Sequence, residues 1–134
     1  MPKAVLCAPA HLMLEYLAKL RQHIRGPTMI TIDDFRKLDL RVAQIKEIKE
    51  HPNADKLYLI QVDVGGELKQ IVAGIRNAYT KEELLGKKVI IVNNLEPATI
   101  RGETSNGMLL AASDSQGMAV LTVEKEIVLG SVVK

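Results

Sequence analysis

Two short polar stretches stand immediately ahead of apolar runs: HPNADKL at residues 51–57 and SNGM at residues 105–108. The first offers Asn53, whose amide both donates and accepts hydrogen bonds, and Lys56, a mobile ammonium. Such an amide suits a sugar hydroxyl or a base edge, and such an ammonium suits a phosphate. The alternative is that Asn53 and Asp55 cap a turn after Pro52. A carboxylate repels phosphate, so Asp55 is read as a turn former. In the second stretch Gly107 permits close backbone approach or a bulge, while Ser105 and Asn106 can bond a ligand or simply form a polar loop. Met108 is either a polarizable contact at a strand start or a buried gap-filler.

Covalent chemistry finds no support. His11, His23 and His51 are isolated in the sequence, and no Ser/His/Asp order, HExxH, Walker loop or GxGxxG is present. Cys7, the single cysteine, has no evident activating partner and reads as a small apolar filler. One cysteine makes neither an internal disulfide nor a zinc cluster, so a cytoplasmic protein with no metal and no cofactor is expected. Pro9 and His11 interrupt the opening MPKAVLCAPAHLML, which reads as neither a signal peptide nor a membrane span.

Charge and aromatic content restrict the choice of ligand. Residues 1–28 hold four of the 18 basic residues and one of the 16 acidic ones, which leaves residues 29–134 with 14 against 15. A basic footprint on the main domain must therefore come from the arrangement of charges and not from their total. With only Tyr16, Phe35, Tyr58 and Tyr79, the chain lacks a stacking platform for splayed bases. A folded nucleic acid recognised by its shape remains compatible.

The positioning elements follow from periodicity. Met13, Tyr16, Leu17, Leu20 and Ile24 recur at helical spacing between Pro9 and the stops Gly26 and Pro27, predicting an amphipathic helix over 9–25 in an extension of residues 1–28. Its apolar stripe is expected to pack on its own domain or a twin subunit. The domain proper spans 29–134. TIDDF at 31–35 has a helix-start pattern, and from Leu40 the sequence turns to strand. LRVAQIKEI, LYLIQVDV with Tyr58, Ile60, Val62 and Val64 on one face, and LKQIVAGI after a Gly65-Gly66 turn are three strands. TKEELLG predicts a short helix with Thr80 as N-cap, Glu83 closing a capping box and Gly86 at the stop. KKVIIVNNL, MLLAA and MAVLTV are further strands, the last two parted by SDSQG. Three strands, a helix, then more strands is the order of an OB-fold: an all-β, five-stranded Greek-key barrel with a short inserted helix, here preceded by the N-terminal helix. A sandwich or small open sheet is the alternative.

DLRV at 39–42, HPNADKLY at 51–58, QIVAGI at 70–75, TKEELLGK, NLEPA at 94–98, RGETSNGMLLAA at 101–112 and EIVLGSVVK together resemble the tRNA-binding domain of methionyl-tRNA synthetases, of the C-terminal and beta-subunit type. The same module occurs in endothelial monocyte-activating polypeptide, and the resemblance covers about residues 30–134. It implies an OB-fold that binds tRNA by its folded shape with little sequence preference. Such a module would act without catalysis, as an accessory subunit or trans-acting partner of a methionyl-tRNA synthetase. It would raise the local tRNA concentration, and a free-standing version would be a homodimer.

The resemblance selects Asn53 and Lys56 as tRNA contacts and adds Ser105 and Met108 by matching position. Asn94 stands where the family has an asparagine in its groove. Arg41, Arg76 and Arg101 sit beside recognisable motifs and are candidate phosphate ligands, useful jointly because several weak contacts add. Asn106 stands where relatives often have Gln or Glu, and Glu96 and Thr99 where they tend to be more basic. Homodimerisation is expected through EIVLGSVVK, an apolar strand that otherwise leaves an open edge. The competing function is a dimeric peptide-binding, export-chaperone-like module on the same barrel, from which the SNGMLLAA stretch departs.

Overall fold

The computed structural model describes residues 28–134 together with Leu14, so apart from that residue the helix expected over 9–25 falls outside the described residues. The chain divides into two units, residues 1–35 and 36–134. Thr31 opens helix α1 (Ile32–Arg36) with a reciprocal cap. The Asp34 N–H donates to Thr31 Oγ1 at 3.1 Å and the Thr31 N–H to the Asp34 carboxylate at 3.3 Å.

The second unit is organised by one long strand, β1 (Leu40–Glu50). Its first half pairs antiparallel with β4 (Lys88–Val92) from Leu40↔Val92 to Gln44↔Lys88, and its second half with β2 (Tyr58–Asp63) up to Glu50↔Tyr58. Between Ile45 and Glu47 the register shifts, leaving Lys46 outside the ladder. A bulge of this kind bends a strand, which lets β1 serve both walls of a barrel. β3 (Leu68–Ala73) continues beyond β2, and β7 (Met108–Leu109) continues beyond β4, giving the order β3-β2-β1-β4-β7. The gap between β7 and β3 is bridged where the Asn106 N–H donates to the Gln70 carbonyl at 2.8 Å. The result is a nearly closed five-stranded barrel, the OB-fold expected from the sequence.

Alternation fills it. Tyr58, Ile60 and Val62 of β2 point inward as the spacing predicts, and Ile45, Ile60, Val62, Ile71, Val89 and Ile91 are fully buried. Each such side chain contributes roughly 1.5–3 kcal/mol of hydrophobic stabilisation. Leu84 from helix α2 (Lys81–Leu84) joins this core. Thr80 and Glu83 form the expected capping box at the start of α2, and Gly86 follows it at φ +83°.

Three features differ from the sequence reading. MLLAA is not one strand, because the chain changes partners at Leu110: its N–H donates to Ile90 and its carbonyl accepts from Leu121. Beyond that corner, β8 (Ala111–Asp114) pairs with β9 (Gly117–Val120) as a separate exposed hairpin. β5 (Ala98–Ile100) and β6 (Glu103–Ser105) form a second hairpin that EPATIRGETS does not advertise by alternation. EIVLGSVVK is strand only at β10 (Val132–Val133), which pairs with the start of β1.

Candidate nucleic-acid interface

The 51–57 loop follows the last residue of β1 and is pinned from both sides. On one side the Arg76 guanidinium forms an ion pair with Glu50 and donates to the Ala54 carbonyl at 3.4 Å. Lys81 approaches the same Glu50 carboxylate at 3.9 Å. On the other side lies His51, only 3% exposed. The Asn53 N–H donates to His51 Nδ1 at 2.9 Å, so Nδ1 is unprotonated, and Nε2 must carry the hydrogen that is shared with the Ile100 carbonyl at 3.0 Å. The turn is thus held by the His51 ring through the Asn53 N–H, and the side chains of Asn53 and Asp55, expected as its alternative caps, form no hydrogen bond among the described residues. The side chains of Asn53 and Lys56 are exposed and enter no hydrogen bond or ion pair among the described residues.

Ile100 belongs to the β5–β6 hairpin, so the His51 bond sets that hairpin's tip beside the loop. The tip is Arg101-Gly102, with Ile100 paired to Glu103 and positive φ at both central residues, 52° and 90°. A two-residue turn of this form matches the twist of the flanking strands. Arginine in a left-handed conformation costs about 1 kcal/mol. Its side chain is exposed and also has no partner among the described residues.

The opposite end of β1 carries similar residue types in a different condition. Arg41 bonds Asp39 at 2.6 Å and the Gly130 carbonyl at 2.9 Å. The Asn94 amide accepts from the Asp39 N–H at 2.9 Å and donates to the Lys37 carbonyl at 2.7 Å, which uses both of its ends. Asn93 donates to the Asp39 carboxylate at 3.0 Å, and its backbone carbonyl accepts from Lys69 at 2.8 Å. The Asn93 hydrogen bond, then the bond to Arg41, holds the Asp39 carboxyl below the usual carboxylate range.

Ser105 lies between the two ends and points inward. It is 4% exposed, accepts from the Val72 N–H at 3.0 Å and donates to the Gly107 carbonyl at 3.0 Å. A Cβ on Gly107 would lie 2.9 Å from the Val92 carbonyl, so the close approach that glycine permits is used here by the barrel itself. Met108 is on the surface, 47% exposed, and pairs with Val92 next to Asn93.

The structure thus brings Asn53, Lys56, Arg76 and Arg101 to one rim and places Arg41 and Asn94 at the other end of β1. Nine residue steps of strand separate Arg41 from Glu50, roughly 30 Å. Ser105 and Met108 belong to the seam between β7 and β3 and to the Asn94 end respectively.

Beside the rim, the outer face of β1–β3 holds a cleft of ≈ 370 Å³ that the sequence reading did not single out. Lys46, Lys49, Gln61 and Gln70 line it together with Glu103 of the hairpin. Gln61 donates to Gln70 at 3.0 Å and Gln70 to the Thr104 carbonyl at 2.9 Å, an amide chain running from the sheet to the hairpin. Gln61 was findable, since it alternates with buried Ile60 and Val62. Lys46 was not, because its position outside the ladder depends on the bulge.

Among the described residues no group of His, Cys, Asp and Glu could hold a metal ion, and no helix is long and apolar enough to cross a membrane. Residues 40–132 match the family model described as "Putative tRNA binding domain". The chain belongs to the tRNA-binding domain family. It is 50% identical over 117 residues to the methionine-tRNA ligase of Pyrococcus abyssi, and 54% identical over 105 residues to that of Pyrococcus horikoshii. These alignments cover 87% and 78% of this chain but only 16% and 14% of the ligases. Among solved structures, the MetRS related protein from Pyrococcus horikoshii superimposes with a TM-score of 0.75 at 34% identity, covering 80% of this chain and 99% of that one. The CsaA chaperone protein from Picrophilus torridus gives 0.74 at 35% identity, covering 79% and 100%. The resemblance to the synthetase tRNA-binding domain and the OB-fold are both borne out.

Proposed function

We propose that this chain binds folded tRNA by shape, with little dependence on sequence, and acts without catalysis as an accessory or trans-acting partner of methionine-tRNA ligase. The observation that carries this reading is the rim. Two loops distant in sequence are tied together by His51, and between them they leave an amide and two cations, Asn53, Lys56 and Arg101, exposed with no internal partner among the described residues. Cations in that condition can neutralise phosphates without first breaking an ion pair. Lys46 adds a cation along the cleft, whereas Lys49 lies 3.5 Å from Glu47 and Glu103 lines the same cleft. Arg76 supports it indirectly, by holding the loop. Arg41, Asn94, Ser105 and Met108 are kept in the proposal as secondary members, since the first three use their polar atoms within the fold. Cytoplasmic location follows from this role.

Homodimerisation through residues 126–134 belongs to the same reading. Ile127, Val128 and Val132 are 46%, 78% and 54% exposed there, apolar surface that a twin subunit would cover.

A second reading, peptide binding, is favoured by the similarity to the CsaA chaperone. A gel shift with bulk tRNA at rising salt separates the two. Four to six phosphate contacts give a log-log slope of roughly −3 to −5. Saturable peptide binding with no tRNA shift would replace the first reading by the second.

A further inference from the structure

Among the described residues, His51 and Ser105 are the polar side chains that are buried, and of the two only the His51 ring has a nitrogen that can take up a proton. Both ring nitrogens are used in one tautomer. Nδ1 accepts from the Asn53 N–H within its own loop, and Nε2–H donates to Ile100 of the hairpin 49 residues away. A proton on Nδ1 would remove the acceptor that fixes Asn53 and place a cation where the ring is 3% exposed.

The charges on the elements packed around the ring are close to balance. Glu50, at the end of β1, is already paired with Arg76 and approached by Lys81. The loop adds Asp55 and Lys56 and the hairpin adds Arg101 and Glu103, two acids against two bases.

We propose that His51 is a positioning residue for RNA binding: the neutral ring clasps the 51–57 loop to the hairpin tip, and taking up a proton opens the clasp so that tRNA affinity falls in acid. The claim rests on the tRNA-binding reading. Its sign is opposite to the ordinary expectation. Charging a histidine normally strengthens attraction to a polyanion, and His11 and His23, outside the described residues, would act in that direction.

The test is the affinity of the full chain for bulk tRNA at pH 7.5 and pH 5.5, at fixed salt, for the wild-type protein and for His51→Gln. The glutamine amide can donate to the Ile100 carbonyl but cannot take up a proton. The wild-type protein is expected to bind about tenfold more weakly at pH 5.5. His51→Gln is expected to bind at least as well at pH 5.5 as it does itself at pH 7.5. Wild-type affinity that holds or rises in acid overturns the clasp, as does an equal acid loss in the variant. Should the variant fail to fold, exchange of the wild-type Asn53 amide decides. Its protection falls over the same pH range as the affinity if the clasp opens, and unchanged protection refutes the proposal. Failure of the wild-type protein to bind tRNA at pH 7.5 overturns the binding reading and this inference together, whereas binding at pH 7.5 without acid loss overturns the clasp alone.

Discussion

The two ends of β1 carry nearly the same residue types and use them in opposite ways. At the Leu40 end an arginine and two asparagines close on Asp39 and on backbone groups, so their polar groups serve the fold, except the buried Asn93 Oδ1, which has no partner among the described residues. At the Glu50 end a buried histidine and one arginine perform that work, leaving Asn53, Lys56 and Arg101 facing solvent. The difference teaches that residue type alone does not mark a binding group. On the proposed reading, what marks it is whether another part of the chain already satisfies it.

The comparison can be broken or sharpened by substitution, and the largest effect should come from the scaffold both ends share. Val62→Asp buries an unpaired carboxylate at a fully buried core position, and a loss of more than about 4 kcal/mol is expected. Circular dichroism should then show an unfolded chain that has lost both ends at once.

Ser105→Ala comes next, removing the partner of a buried Val72 N–H. It should lower stability by about 1–3 kcal/mol in urea titration. A stable variant with weakened tRNA binding would instead move Ser105 to the exposed side of the comparison.

Asp39 reports on the Leu40 end through pH. Its folded pKa is held below its ordinary value, so its contribution is fully present above the unfolded value and is lost as pH falls through the folded one. Asp39→Asn should therefore be about 1 kcal/mol less stable than the wild-type protein at pH 7, with the gap closing below about pH 4. Thermal melts at the two pH values check the sign.

The smallest effects on stability and the clearest on binding are expected at the Glu50 end. Lys56→Ala and Arg101→Ala should each weaken tRNA binding severalfold across sequences and reduce the salt slope by about 1, with stability unchanged to within about 0.5 kcal/mol. Arg41→Ala should change the slope by much less than either. An equal slope change at Arg41 would erase the distinction between the two ends.

Much of this architecture was legible in the sequence. Alternation along YLIQVD gave an inward face that the barrel uses, and Thr80 with Glu83 announced α2 because capping boxes are local. The β5–β6 hairpin escaped because EPATIRGETS has no apolar alternation and is held instead by a two-residue turn and by His51 from a distant loop. EIVLGSVVK looked like a strand for its β-branched residues, yet only Val132–Val133 finds a partner edge, on β1. At the proposed site, the motifs pointed to Asn53 and Lys56, whose side chains the fold leaves exposed. They also pointed to Ser105, but nothing local reveals that its hydroxyl turns inward to Val72, 33 residues away. Arg41 and Arg76 looked alike in sequence to Arg101, and only the folded neighbours separate them.

Hydrogen exchange of the full chain with and without saturating tRNA tests the central claim most directly. Slowed exchange in residues 51–57 and 98–103, with much less in residues 37–41 and 93–95, is the expected result. Protection confined to the second set, or to the β8–β9 hairpin, would contradict it.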